Sequence, residues 1–231
     1  MNAEVATAAL LIAVPLAFNA AFFELGRSFD YPDILRREPD EILRRFVAGG
    51  SGLLLRWHAL LLSALMMLPL VGLVAVVLEA PAGLAVASGV VGSAAALVQA
   101  LGLARWPFVV PELARRYVAA EGPHAGATRE TIEVLFAAVH RLLGVGIGEH
   151  LGYVLTGTWT LLVGISVLGS PVHADWLGII GLPIGLALLV GSLEFVGPNE
   201  ESGWSLAGAI VPIAYVAWSL WLIALGVGIL L

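Results

Sequence analysis

The chain has 231 residues, is 60% hydrophobic with a mean hydropathy of +0.97, and carries only 12% charged residues at a formal net charge of -6. A soluble domain carries about 25% charge, so a chain this apolar cannot clothe a soluble surface and reads as an integral membrane protein. It has no Cys and no Lys, all eleven basic residues being Arg, which excludes disulfides, iron–sulfur clusters, covalent c-type haem, retinal or pyridoxal Schiff bases and lysine nucleophiles.

The N-terminal stretch "MNAEVATAALLIAV" lacks a basic region and reads as the start of a retained helix rather than a cleaved signal. Six apolar segments are long enough to span a bilayer, over 3–25, 53–78, 82–104, 145–168, 176–196 and 204–230, against a need for about 20 residues. The expected fold is therefore an all-α membrane bundle of six transmembrane helices, with residues 1–231 forming a single transmembrane domain. Two further segments read as short amphipathic helices lying along the inner membrane surface. "PDEILRRF" (39–46) has Pro first, acids next and arginines last, the order of a capped helix, with Ile42, Leu43 and Phe46 on its apolar side. "TIEVLFAAVHRLL" (131–143) gathers Ile132, Leu135, Phe136, Val139, Leu142 and Leu143 on one face. Run straight into the fourth span, it would give about 38 residues and roughly 57 Å of helix, which overshoots a hydrocarbon core of about 30 Å. A bend is expected at Gly144, Gly146 and Gly148. Pro183 and Pro212 are expected to bend spans five and six, and Pro107 and Pro111 to end span three. The small-residue run 82–102 fits close helix packing or a self-association face. No internal repeat is evident, which speaks against an inverted-repeat transporter.

Arginine sets the orientation. Arg27, Arg36, Arg37, Arg44 and Arg45 fall in the first connection, and Arg115, Arg116 and Arg129 in the third, whereas the connections near 79–82 and 170–175 hold none. The positive-inside rule then puts the arginine-rich connections in the cytoplasm and both termini outside. Nearly every ionisable residue close to a span lies at that inner end: Glu24, Arg56, His58, Arg105, Glu149, His150 and Glu194. Positions i+4, i+7 and i+11 from Glu149 are Tyr153, Thr156 and Thr160, which fall on one helix face. His150 points about 100° away from that face.

The pattern fits an inward-open polar pocket lined by Glu149, Tyr153, Thr156 and Thr160, with His150 and His58 nearby and Arg56, Arg105, Glu24 or Glu194 as counter-charges. An unpaired charge in a bilayer costs a few kcal/mol or more, so pairing is expected. The competing reading of the same residues is structural, as ion pairs that hold the bundle at snorkelling depth. Arg56 and Arg105 could also form an anion seat, or serve only as interfacial anchors beside Trp57 and Trp106. No HExxH occurs and no two His stand at i, i+3 or i+4, so no metal is expected. A bis-His haem on His58 and His150 is geometrically open but has no further support, and no cofactor is expected.

Six phrases taken together, "FDYPDILRREPDEILRRFVAGG" (29–50), "RWHALLLSAL" (56–65), "RWPFVVPELARRY" (105–117), "GIGEHLGYVLTGTWTLLVG" (146–164), "DWLGIIGLP" (175–183) and "PIAYVAWSLWLIALGV" (212–227), resemble a bacterial family of six-span membrane proteins catalogued as a domain of unknown function. The resemblance spans nearly the whole chain. It implies an all-helical fold in the bacterial inner membrane and carries over no catalytic residue. Within it, "FDYPDILR" and "GEHLGY" hold polar groups that packing alone does not require. Three functions stay open: binding of a lipid or other amphiphile in the inward-facing pocket, an accessory subunit of a larger membrane complex, and an intramembrane enzyme using Glu149 or His150 as acid or base. The expected partners are membrane lipids, with a second copy or a membrane-complex subunit possible in principle, and no nucleic acid.

Overall fold

The computed structural model describes residues 2–170 and 173–231, so the connection expected over 170–175 lies partly outside it. The described residues form helices and no strands. They are α1 (Ala3–Phe29), α2 (Pro39–Leu65), α3 (Met67–Val77), α4 (Ala82–Phe108), α5 (Val110–Ala119), α6 (Ala125–Val139), α7 (Gly152–Leu168), α8 (Asp175–Gly191), α9 (Asn199–Ser202) and α10 (Ser205–Ile229). A π-helical segment, His140–Leu151, joins α6 to α7, and 3₁₀ turns cover Asp33–Arg36 and Ser192–Phe195. Six helical runs are long and apolar enough to cross a membrane, matching the six expected spans in number and order.

The punctuation of these runs follows from a few residues. Asn2 caps α1 by accepting the Val5 N–H at 2.9 Å, as N-cap side chains do. Asp30 ends α1 in the left-handed region at φ 62. Gly50, at φ 56 and ψ -153, breaks α2 into Pro39–Gly49 and a following stretch, a conformation that costs a residue without Cβ little. The segment expected as a short helix over 39–46 is thus helical and continues to Gly49 before the break. Span three does not end at Pro107: α4 runs through it to Phe108, and the chain turns at Val109 before α5 opens with Pro111 in its first turn. There a missing N–H costs nothing. Of the apolar stripe read over 131–143, Ile132 and Phe136 are buried, whereas Leu135 and Leu142 are exposed. The glycines of 144–148, where a bend is expected, lie within a π-helical segment.

The runs close on themselves. α1 packs against α2, α2 against α4, α4 against α7, α7 against α8, α8 against α10, and α10 against α1. The tightest of these seams is glycine-built: a Cβ at Gly157 would lie 2.7 Å from the Gly185 carbonyl oxygen, and one at Gly178 2.6 Å from that of Gly164. Backbone-to-backbone approach of this kind drives helix association where no hydrophobic effect operates between helices. The outward flanks carry exposed Leu16, Leu55, Val76, Val90, Phe108 and Ile213.

Two cores fill the bundle. One, from α1, α3, α7, α8 and α10, gathers Leu11, Val71, Trp159, Val163, Leu188 and Trp221. The other, at the end where the arginine-rich connections lie, gathers Leu25, Phe29, Phe46, Trp57, Trp106 and Phe136. Trp57 and Trp106 stack there with ring centres 4.3 Å apart and 8° between planes. Phe29 meets both edge-on at 6.1 and 5.6 Å, an arrangement that aromatic quadrupoles favour.

Candidate functional site

The arginine-rich end owes its site to the π-helical segment. Gly102 of α4 and Gly148 approach so closely that a Cβ on Gly102 would lie 2.5 Å from the Gly148 Cα. A Cβ on Gly144 would lie 2.7 Å from the Arg105 Nη2, so this glycine makes room for the guanidinium. Arg105 is 4% exposed. Its Nη1 donates to the Gly102 carbonyl, its guanidinium stands 5.2 Å from the Trp106 ring centre, and its Nε has no hydrogen-bond partner among the described residues. π-Helical turns inside longer helices recur at functional sites, and here one presents Glu149 opposite this buried cation.

Glu149 is half-buried. Among the described residues its carboxylate accepts no hydrogen bond and makes no ion pair; the charges that act on it are those of Arg105, Arg36 and Glu194. Three of the chain's four tyrosines share its surroundings. Tyr31 comes from the loop after α1, Tyr153 from α7 and Tyr215 from α10. All three are half-buried, and none of their hydroxyls is hydrogen-bonded among the described residues. Tyr153 meets Tyr215 at 5.2 Å and Phe195 at 5.2 Å, while Tyr31 packs on Phe22 at 4.9 Å and Trp57 at 5.0 Å. Burial, and after it the Glu149 carboxylate, push the Tyr31 phenol well up, so it remains a hydroxyl able to donate. A small cavity of about 10 Å³ lies beside Gln99 and Tyr215, walled by Pro15, Phe18, Met67 and Trp218.

The stripe read along the fourth span divides in two. Glu149 and Tyr153 belong to this cluster. Thr156 and Thr160 are tied into the protein: Gln99 Nε2 donates to Thr156 Oγ1 at 2.7 Å, Thr160 Oγ1 donates to the Thr156 carbonyl at 2.7 Å, and Trp218 Nε1 donates to Thr160 Oγ1 at 2.9 Å. Both threonines are buried.

The other expected residues fall as follows. Arg105 belongs to the site. Glu194 stands at its rim, where Arg36 Nη2 donates to it at 2.6 Å and the Trp204 N–H at 3.3 Å. His150 turns away and pairs its Nδ1 with the Ser192 carbonyl at 3.0 Å, so it is not presented with Glu149 to one reacting atom. Arg56 and exposed Glu24 face each other at 3.8 Å and do not bear on Glu149. His58 is half-buried with Phe108 edge-on at 6.3 Å. Among the described residues no three His, Asp or Glu converge as metal ligands would. Sequence reasoning missed Tyr31, Arg36 and Tyr215. The first two lie in the flagged stretch "FDYPDILR", but a loop that folds back over a bundle has no periodicity to reveal which side chains reach inward.

A second concavity, of about 340 Å³, lies between the 3₁₀ turn, α2 and the π-helical segment; Leu35, Ile42, Phe136 and His140 line it with Arg37 and Arg141.

Six apolar helical runs closed into a bundle, with polar groups gathered at one end, mark a multi-pass, all-α membrane protein. The chain belongs to the family described as Domain of unknown function (DUF4386), which matches residues 6–226. No curated protein and no solved structure matches it.

Proposed function

We propose that the protein binds the polar head of a lipid or other amphiphile at the Glu149 cluster, in the inner membrane of a bacterium. One observation carries this reading: Glu149 and Tyr153, four residues apart on one helical run, and Tyr215, whose ring meets that of Tyr153 at 5.2 Å, keep accessible surface and, with half-buried Tyr31, leave a carboxylate and three hydroxyls without hydrogen-bond partners among the described residues. A group that served only to hold the bundle would be paired, as Thr156, Thr160 and Glu194 are. Buried or half-buried polar groups left unpaired cost about 1–3 kcal/mol each, and a bound head group offsets that cost. The arginines of the first and third connections put this end on the cytoplasmic side by the positive-inside rule, and the apolar flanks give a tail a place to lie.

The test is native mass spectrometry of protein released from mild non-ionic detergent, with Glu149→Gln beside the wild type. The expected result is a discrete co-purifying mass on the wild type that is depleted in the folded variant. Equal occupancy on both proteins, or a clean apo wild type that takes up no added lipid, overturns the reading.

A further inference from the structure

The cavity of about 340 Å³ between the 3₁₀ turn, α2 and the π-helical segment has a lining of its own, in which neither Glu149 nor any of the three tyrosines takes part. Leu35, Pro39, Ile42, Phe136 and Val145 make it mainly apolar. Its ionisable lining residues are Arg37, Arg141 and His140, and no Asp or Glu is among them. Both arginines are exposed, so their charges are open to a ligand. The acids that pair with Arg37 hold it loosely. Asp30 lies at 3.7 Å and Glu41 at 3.9 Å, beyond hydrogen-bond reach, and both carboxylates also serve Arg45, at 3.6 and 3.3 Å. A third cation stands behind the wall. Gly144, next to the lining residue Val145, packs on the Arg105 guanidinium, which is 4% exposed and makes no ion pair among the described residues. Arginine keeps its proton in proteins, and a charge in a medium of low dielectric acts over a longer reach than in water.

We infer that this cavity takes a single-chain amphiphile with an oxyanion head, the head on Arg37 and Arg141 and the chain along Ile42, Phe136 and Val145. The planar guanidinium fork matches the paired oxygens of a carboxylate or phosphate. A cationic head would meet two arginines with no acid in the lining to hold it. The volume lies at the lower end of the range for ligand cavities, about 300–1,000 Å³, which suits one hydrocarbon chain. Ala137 and Ala138 of the same lining are exposed, so the cavity is open where they stand. This site is separate from the Glu149 cluster and stands or falls independently of the binding reading above.

Binding would be measured by titration calorimetry in one non-ionic detergent with dodecanoate, dodecylammonium and butanoate, on wild type, Ala138→Trp, the double variant Arg37→Gln/Arg141→Gln, and Glu149→Gln. Thermal unfolding of each variant checks that it is folded. Ala138 is exposed, so an indole there obstructs the cavity without entering a core, and this variant carries the test if the loss of two arginines unfolds the protein. Dodecanoate should bind wild type at least tenfold tighter than Ala138→Trp and the double variant, and should bind Glu149→Gln as it binds wild type. Dodecylammonium should bind wild type more weakly than dodecanoate does. Equal affinity of wild type and Ala138→Trp for dodecanoate overturns the site. Equal affinity of wild type and the folded double variant, or dodecylammonium binding as tightly as dodecanoate, overturns the oxyanion assignment. Butanoate binding as tightly as dodecanoate overturns the amphiphile and leaves a site for a small free anion. If dodecanoate binding is lost in Glu149→Gln but kept in the cavity variants, the ligand belongs to the Glu149 cluster, and this inference fails while the binding reading above survives.

Discussion

In the aliphatic half of the bundle, Trp218 gives its indole N–H to Thr160 at 2.9 Å and Trp221 gives its own to the Leu177 carbonyl at 2.7 Å. In the aromatic half, Trp57 and Trp106 stack face to face and neither N–H has a partner among the described residues; Arg105 Nε and His140 Nδ1 beside them have none either. Among the described residues, Trp159 is the one comparable case in the first half. The two cores are equally dry by exposure, since Trp57, Trp106 and Trp159 are all fully buried. They differ in how completely their polar atoms are satisfied. A core selected only for stability pairs its buried donors, and an unpaired one costs about 1–3 kcal/mol. The aromatic half tolerates several, and Arg105, whose charge acts on Glu149, stands among them. The contrast separates a part of the molecule that keeps the bundle together from a part arranged around a site.

The largest expected effect tests the first half at its glycine seam. A Cβ at Gly178 meets the Gly164 carbonyl oxygen at 2.6 Å, a backbone atom that cannot move without parting α7 from α8. At Gly144 the Cβ meets the far end of Arg105 at 2.7 Å, and a side chain can shift. Gly178→Ala should therefore destabilise the protein by about 1–3 kcal/mol, the usual range for overpacking, and Gly144→Ala by about 1 kcal/mol or less. Thermal unfolding in one detergent measures both. Equal losses would show that Arg105 is as rigid as backbone and would erase the mechanical difference between the halves.

An intermediate effect tests hydrogen bonding directly. Trp221→Phe and Trp106→Phe remove similar volume from fully packed surroundings, but only the first breaks an indole hydrogen bond. The difference between the two losses should be about 1 kcal/mol in favour of Trp106→Phe, the net value of one such bond. If Trp106→Phe costs as much, its ring stacking with Trp57 carries energy that hydrogen-bond accounting misses.

What the sequence made legible follows the same division. The six runs were readable because twenty or so apolar residues in a row have few other fates, and the structure contains all six. Glu149 and Tyr153 were readable as one face because both lie on the same run at i, i+4. That Thr156 and Thr160 leave this face to serve the core depends on Gln99 and Trp218, residues 57 and 58 positions away from them, and no local pattern encodes that. The pairing of charges was illegible for the same reason. Arg36 reaches Glu194 across 158 positions, and among the described residues Arg105 makes no ion pair and lies against Gly144 and Trp106. The glycines at 144, 146 and 148 signalled a bend, but that the departure from regular helix takes π-helical form beside the close approach of Gly102 to Gly148 is not written in them.

The smallest effect belongs to the rim. Arg36 and Glu194 tie the loop after α1 to the 3₁₀ turn after α8, with the Trp204 N–H on the same carboxylate oxygen. Gly203, at φ +78, lets the chain pass Arg36: a Cβ there would lie 2.9 Å from its Nη1. The Arg36 side chain is 53% exposed, against 11% for that of Glu194, so solvent screens much of the attraction. Pairs of this kind contribute about 0.2–1 kcal/mol. Arg36→Gln should therefore lower the unfolding temperature only slightly at low ionic strength, and the gap to wild type should close at 1 M NaCl, where the Debye length falls to about 3 Å. A gap that persists at high salt would mean that Arg36 acts by packing over Gly203 rather than by charge. The rim would then resemble the aliphatic half, held by shape, and the boundary between the two regions would run inside Glu194 instead of outside it.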